Sequence, residues 1–274
     1  MNLPPLQGKI SQSGFFIYAA ADTRYFDDYG RALINSVLKN TAYGIHVHVF
    51  DPTDTQLKWC EAQQRLSVSW EYVAPDQFDA AIQFWNRTDL PEPYAGRKNK
   101  MLGLKQATPA DLEKWLHKTY YACMRFMRLA ELLRTPQHLL QIDIDGIVRS
   151  DFPTQLTNHE CCDVYVYEKT KKDKVTGELR KTGHLAGSIL ITDKPPALSF
   201  VKELGSAIRQ EIVADNIYWF LDQNCLDAVI TRYRKGLLPI GYIDWHMDAA
   251  SAIWTAKGRR KELAMFQQEL ARYQ

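Results

Sequence analysis

No apolar run in this 274-residue chain reaches the roughly 18 residues that a bilayer-spanning helix requires. Met1 to Ile10 carries prolines rather than the basic-then-apolar order of an export signal, so a cytoplasmic chain with no transmembrane segment is expected. The five cysteines contain no Cys-x-x-Cys pair and no ligand-like spacing with histidine, which argues against a zinc site. Cys60, Cys123, Cys161, Cys162 and Cys225 are odd in number and sit in apolar segments, and they read as reduced core residues. A net charge of +2 gives no field strong enough to argue for a polyanionic partner. Internal repeats, low-complexity tracts and clear linkers are also missing, so one domain over 1–274 is the economical reading.

What is present is an ordinary globular composition, 46% hydrophobic and 24% charged, ample for a core. Phe15 to Ala20 is an apolar run of strand length ending at Ala21-Asp22-Thr23-Arg24. Asp27 to Asn40 follows with helical spacing, Ile45 to Pro52 with strand alternation, Thr55 to Leu66 as a helix and Val68 to Val73 as a third strand. This alternation predicts parallel βαβ units. Pro75 to about His117 is irregular, and its Arg97, Lys98, Lys100 and Lys105 fit either a phosphate-reaching loop or a solvated basic one.

Lys118 to Arg134 carries a stripe of Ala122, Phe126, Leu129 and Leu133 at helical spacing. Arg125 falls at the edge of that stripe and can snorkel toward neighbouring strand ends, whereas Arg128 falls toward solvent. Later segments read as a strand from Cys161 to Tyr167, a charged hairpin or flap from Glu168 to Lys181, and a strand from Ala186 to Ile191. Helices over Pro195 to Gln210 and Asp215 to Tyr233, an extended Leu237 to Trp245 and a closing helix from Glu262 to Tyr273 complete the chain.

Leu139 to Ile142 is a strand that runs into Asp143-Ile144-Asp145-Gly146. Residues i and i+2 of a strand point the same way, so Asp143 and Asp145 converge near its end. Two hard oxygen donors there suit Mg2+ or Mn2+, with phosphate oxygens and water completing the shell. A surface turn whose aspartates cap the next element is the plainer alternative. A buried strand seldom ends in two carboxylates without a positive partner, which favours the metal.

Taken in order, Tyr18 to Tyr25, the tyrosine–arginine helix Tyr120 to Leu133, Asp143-Ile144-Asp145, His184-Leu185-Ala186-Gly187, Leu221-Asp222-Gln223-Asn224 and Trp254 to Gly258 resemble the GT-A fold glycosyltransferases. The likeness is greatest to family 8, the glycogenin and lipopolysaccharide galactosyltransferase group. The resemblance implies an α/β, Rossmann-like, mostly parallel sheet flanked by helices. It divides the chain into a nucleotide-binding half over about 12–150, an acceptor and sugar half over about 151–258 and a closing helix over 259–274. It also implies metal-dependent transfer of a sugar from a nucleotide diphosphate sugar, usually UDP-linked, to a hydroxyl, with retention.

The roles it implies are these. Asp143, Asp145 and His246 hold Mn2+ or Mg2+, while Ala20, Asp22 and Tyr25 meet the nucleotide. Ala186 and Gly187 allow close approach of the sugar, Lys257 holds the departing phosphate, and Arg125, Asp222 and Gln223 face the reacting sugar. The chain departs from the family pattern twice. Leu185 stands where asparagine is usual, and Ser251 stands where stepping back from Lys257 reaches the usual histidine, which is why His246 is the candidate ligand.

Other readings compete. Asp143-Ile144-Asp145-Gly146 also fits the nucleophile loop of a haloacid-dehalogenase-like phosphatase, with Asp143 as nucleophile and Asp244 and Asp248 as later acids. A non-catalytic nucleotide-sugar or nucleic-acid binding protein is a third reading, in which the Glu168 to Lys181 flap and Arg259-Arg260-Lys261 meet a phosphate backbone. For a transferase, the acceptor is a saccharide, a lipid-linked compound or an anionic molecule; nucleic acid is not favoured, because acids interleave the basic residues.

Overall fold

The computed structural model describes residues 3–90, 92, 94–96, 109–151, 161–172, 177–239, 241–256 and 258–274. Its strands are β1 (Gln7–Gly8), β2 (Phe16–Asp22), β3 (Gly44–Phe50), β4 (Leu66–Glu71), β5 (Leu139–Ile142), β6 (Gly146–Val148), β7 (Val164–Lys172), β8 (Leu179–Ile191), β9 (Lys235–Leu237), β10 (Ile243–Asp244) and β11 (Ile253–Thr255). The principal helices are α1 (Arg31–Asn40), α2 (Asp54–Glu61), α3 (Asp79–Asn86), α4 (Pro109–Leu132), α5 (Pro195–Val213), α6 (Leu221–Ile230) and α7 (Ala264–Ala271). Among the described residues, no helix is long and apolar enough to cross a membrane.

Eight strands form one sheet in the order β1-β4-β3-β2-β5-β8-β7-β9, and β10-β11-β6 form a second, smaller one. Strands β4, β3, β2 and β5 are parallel neighbours, whereas β8 runs antiparallel to both β5 and β7. The fully buried runs Phe16 to Ala19 and Leu139 to Ile142 suit central strands covered on both faces. One core layer packs α4, α5 and α6 on one face; the other packs α1 against the opposite face of β2 and β3. The α4–α5 crossing is close enough that a Cβ on Gly205 would lie 2.5 Å from the Ala130 Cβ. Chain direction is set locally as well: Thr53 and Gln56 form a reciprocal capping box at the start of α2.

Several boundaries move from the sequence reading. The 75–117 region contains α3 and the start of α4, built around buried Phe78, Trp85 and Leu116. Helix α6 starts at Leu221 rather than Asp215, because Phe220 takes a left-handed φ of 71°. The Glu168 to Lys181 flap is the outer part of the β7–β8 hairpin, with residues 173–176 outside the described set. Cys60, Cys123 and Cys225 are buried as expected, but Cys161 is exposed beside Cys162.

Arg128 corrects the expectation of a solvated side chain. It is 2% exposed, ion-paired with Glu71 and Glu131, and donates to the Pro4 carbonyl at 2.7 Å. Glu71 at the end of β4 is fully buried, and a buried carboxylate requires a cation and donors. Tyr120 Oη also donates to it, at 3.4 Å.

Candidate functional site

The strand order reverses between β2 and β5: the chain winds outward through β3 and β4 on one side, and returns to β5 and β8 on the other. Open α/β sheets bind ligands at such a point, beyond the carboxyl ends of the strands. A cleft of about 360 Å3 lies there. Its acids are Asp22, Asp143 and Asp145, its cations Lys118, Arg125 and Lys261, and its aromatic walls Tyr25, Tyr121 and Trp219.

Each carboxylate has a definite partner. Asp22 caps the short Thr23–Tyr25 turn at the cleft wall, accepting from the Tyr25 amide at 2.7 Å. Asp143 follows β5, donates its amide to the Gly187 carbonyl at 3.0 Å and is ion-paired through Oδ1 with Arg125. Asp145 follows in the turn and meets Lys261 Nζ at 2.6 Å through Oδ2. Burial and the nearby Asp143 push the Asp145 carboxyl above its ordinary pKa, against the opposing pull of Lys261.

Arg125 is the hub. Beyond Asp143, its guanidinium donates to Asp222 Oδ2 and to the Ala186 carbonyl, each at 3.1 Å. Burial alone would lower its pKa, but Asp143 and Asp222 raise the net value, so it stays charged. Asp222 opens α6, is 8% exposed and accepts from the Gln223 amide at 2.9 Å; burial raises its pKa while Arg125 restrains it. The β5–β8 register places Gly187 against Asp143: a Cβ on Gly187 would sit 2.5 Å from Asp143 Oδ2. The carboxylate itself thus requires glycine at 187, and Ala186 is buried beside it.

The structure therefore gathers Ala20, Asp22, Tyr25, Arg125, Asp143 and Asp145 at the cleft, with Ala186, Gly187 and Asp222 directly behind. Gln223 is half-buried in the first turn of α6 and is not one of the residues lining the cleft. Lys257 lies outside the described residues. The structure does not bring His246 to the aspartates. Its side chain is exposed, and its amide donates to Asp244 Oδ1, whose other oxygen accepts the Asp248 amide, tying this segment into its own turn. Ser251 is buried.

Of the cleft's cations, Lys118 escaped the sequence reading of function, and Lys261 entered it only as part of the basic run Arg259-Arg260-Lys261. Lys118 shares a face with Tyr121, Ala122 and Arg125 at i, i+3, i+4 and i+7, a stripe overlooked beside the apolar one. Burial, then Lys114, Lys261 and Arg24, lower its pKa. Lys261 had no local signal distinguishing it from its basic neighbours. It is carried by the Gly258–Glu262 turn, pinned where Arg260 donates to the Trp245 carbonyl at 3.1 Å and where α7 packs Phe266 and Leu270 around Trp254.

The fit to a divalent ion can be judged from these donors. Asp143 Oδ1 and Asp145 Oδ2 already hold cations of the chain. Asp145 Oδ1 has no hydrogen-bond partner, but it is enclosed and faces no solvent. Among the described residues, no group of three or more His, Cys, Asp or Glu is placed to hold a metal. The resident Mn2+ or Mg2+ expected from the resemblance does not fit this arrangement.

No family model and no curated protein matches the chain. Solved structures do. The bifunctional glycosyltransferase WbbM superposes with a TM-score of 0.55 at 15% identity, over 96% of this chain and 50% of its own. The galactosyltransferase LgtC, solved with donor and acceptor sugar analogs, gives 0.54 at 13% identity over 94% and 96%. GlyE of Streptococcus pneumoniae gives 0.51 at 12% over 94% and 61%. The chain thus spans about half of WbbM and nearly all of LgtC. Its fold is that of the GT-A glycosyltransferases, and it resembles the lipopolysaccharide galactosyltransferase group.

Proposed function

We propose that this protein is a glycosyltransferase that moves a sugar from a nucleotide diphosphate sugar, UDP-linked, to an acceptor hydroxyl with retention of configuration. One observation carries the reading: three cations converge on a cleft at the switch point of the sheet, the place where this fold receives a nucleotide. The likeness to LgtC, solved with donor and acceptor sugar analogs, supports the choice of ligand.

In this reading the amino-terminal half binds the nucleotide and the carboxy-terminal half the sugar. Asp22 keeps one oxygen for its cap and offers the other to the base. Tyr25, Tyr121 and Trp219 supply apolar walls for base and sugar. Lys118, Arg125 and Lys261 stabilise the charge that accumulates on the departing nucleoside diphosphate, the largest electrostatic demand of the reaction. Asp222 lies one guanidinium away from Asp143 and fixes Arg125 from the sugar side. Gln223 follows it in the same turn.

Asp143 and Asp222 both face the same arginine, and neither is free to deprotonate an acceptor. That supports retention, because an inverting displacement needs a separate carboxylate base. The acceptor belongs among saccharides, lipid-linked sugars or anionic hydroxyl compounds. No step is routed through Mn2+ or Mg2+. The phosphatase alternative requires Asp143 as a free nucleophile, and its pairing with Arg125 and its place on the fourth strand of the parallel set speak against that.

The test is a panel of nucleotide sugars scored for free nucleoside diphosphate, with manganese present so that a metal requirement cannot mask activity. Release selective for one donor is expected. Silence toward every donor, with hydrolysis of phosphomonoesters instead, would transfer the site to the phosphatase reading.

A further inference from the structure

A bound divalent ion would lie about 2.1 Å from an aspartate oxygen. At Asp145 that position is contested by the Lys261 ammonium, 2.6 Å from Oδ2. The ammonium is not a stray surface charge. It lies 4.6 Å from the ring centroids of both Tyr25 and Tyr29, its side chain is 16% exposed, and it faces the cleft. Ring faces and a carboxylate together make a site built for one positive charge.

Its backbone is equally held. Gln267 of α7 donates to the Lys261 carbonyl at 2.5 Å, and α7 is itself anchored through Tyr273, whose hydroxyl accepts from Asn40 at 2.8 Å. The companion carboxylate, Asp143, is matched by Arg125. Each aspartate that would serve a metal therefore faces a fixed cation, and the histidine that would complete the shell lies elsewhere.

We infer that Lys261, with Arg125 beside it, takes the place of the divalent ion: its ammonium contacts the diphosphate of the donor directly, and binding requires no metal. This rests on the nucleotide-sugar reading above. Asp145 is then a positioning residue that orients Lys261 rather than a metal ligand. An ammonium has three donors, so one can remain on Asp145 while others reach phosphate oxygens. Lys118, which lines the same cleft, adds a second point charge for the same group.

The experiment is calorimetric titration of UDP, GDP, ADP, CDP and dTDP into the full chain, in EDTA and again in excess MnCl2. It is repeated for Lys261→Met and Lys261→Arg after matched thermal unfolding shows both are folded. Equal affinity in the two buffers is expected for the preferred diphosphate. Lys261→Met should weaken it about 10- to 100-fold in both, as loss of a charge-assisted hydrogen bond does, with Lys261→Arg retaining most of it. Affinity that appears only with manganese, or that is indifferent to Lys261→Met, would overturn the inference while leaving the nucleotide-sugar reading standing. Absence of binding to every diphosphate in both buffers would overturn both.

Discussion

Arg125→Met is the most informative single change, because one guanidinium holds the loop after β5, the backbone of β8 at Ala186 and the start of α6. The substitution keeps the apolar stem but removes the ion pairs to Asp143 and Asp222 and the 3.1 Å bond to the Ala186 carbonyl. Asp143 is one-third exposed and recovers part of its hydration. Asp222 cannot, at 8% exposure. A buried charge left without its partner costs about 3–5 kcal/mol, a large share of the roughly 5–15 kcal/mol that holds an ordinary domain. Urea denaturation at neutral pH should report a loss of that size.

The pH dependence identifies the cause. Without Arg125, Asp222 is raised further above its unfolded pKa by burial. The folded state then holds a proton that the unfolded state has released, so stability falls as pH rises through that window and the deficit shrinks as pH is lowered. Adding Asp222→Asn to Arg125→Met should recover part of the loss at neutral pH. A deficit below about 1 kcal/mol, or one indifferent to pH and to Asp222→Asn, would refute the hub role.

Three further outcomes follow from particular contacts. Gly187→Ala should reduce donor turnover at least about 10-fold while costing only about 1–3 kcal/mol of stability, since its Cβ would displace the Asp143 carboxylate; kcat and thermal unfolding measured together check this. Arg128→Met should cost about 3–5 kcal/mol by stranding fully buried Glu71, yet leave nucleoside diphosphate affinity unchanged in the folded fraction. His46, buried between Ser67 and Ser69, is lowered by burial to a pKa of about 3. The unfolded chain therefore binds a proton that the folded chain refuses, and stability should fall by up to about 1.4 kcal/mol per pH unit as pH drops below about 6.5; an acid-unfolding slope identical in His46→Gln would contradict this.

Much of this was legible in the sequence, for physical reasons. Buried parallel strands read as continuous apolar runs, so β2 and β5 announced themselves; β3 showed through its alternation, and the two-residue period placed Asp143 and Asp145 together. Arg125 was recognisable from its place at the edge of the α4 stripe. Arg128 was misread because periodicity reports the apolar face of a helix and is blind to a buried carboxylate arriving from another strand. Glu71 supplied that demand from 57 positions away. Lys261 was read only as one of the basic run Arg259-Arg260-Lys261 for the same reason: its partner Asp145 lies more than a hundred residues earlier, and nothing local marks the turn that delivers it. His246 was chosen because counting back from Lys257 reaches Ser251 rather than a histidine, and a local hydrogen-bonded turn around Asp244 holds that segment instead.

The most direct measurement is a crystal structure with the donor that the panel selects. The account predicts the diphosphate between Lys118, Lys261 and Arg125, the base beside Asp22 and the sugar toward Gly187 and Asp222. Phosphates bound away from those three cations, or a cleft left empty while the donor binds elsewhere, would contradict it.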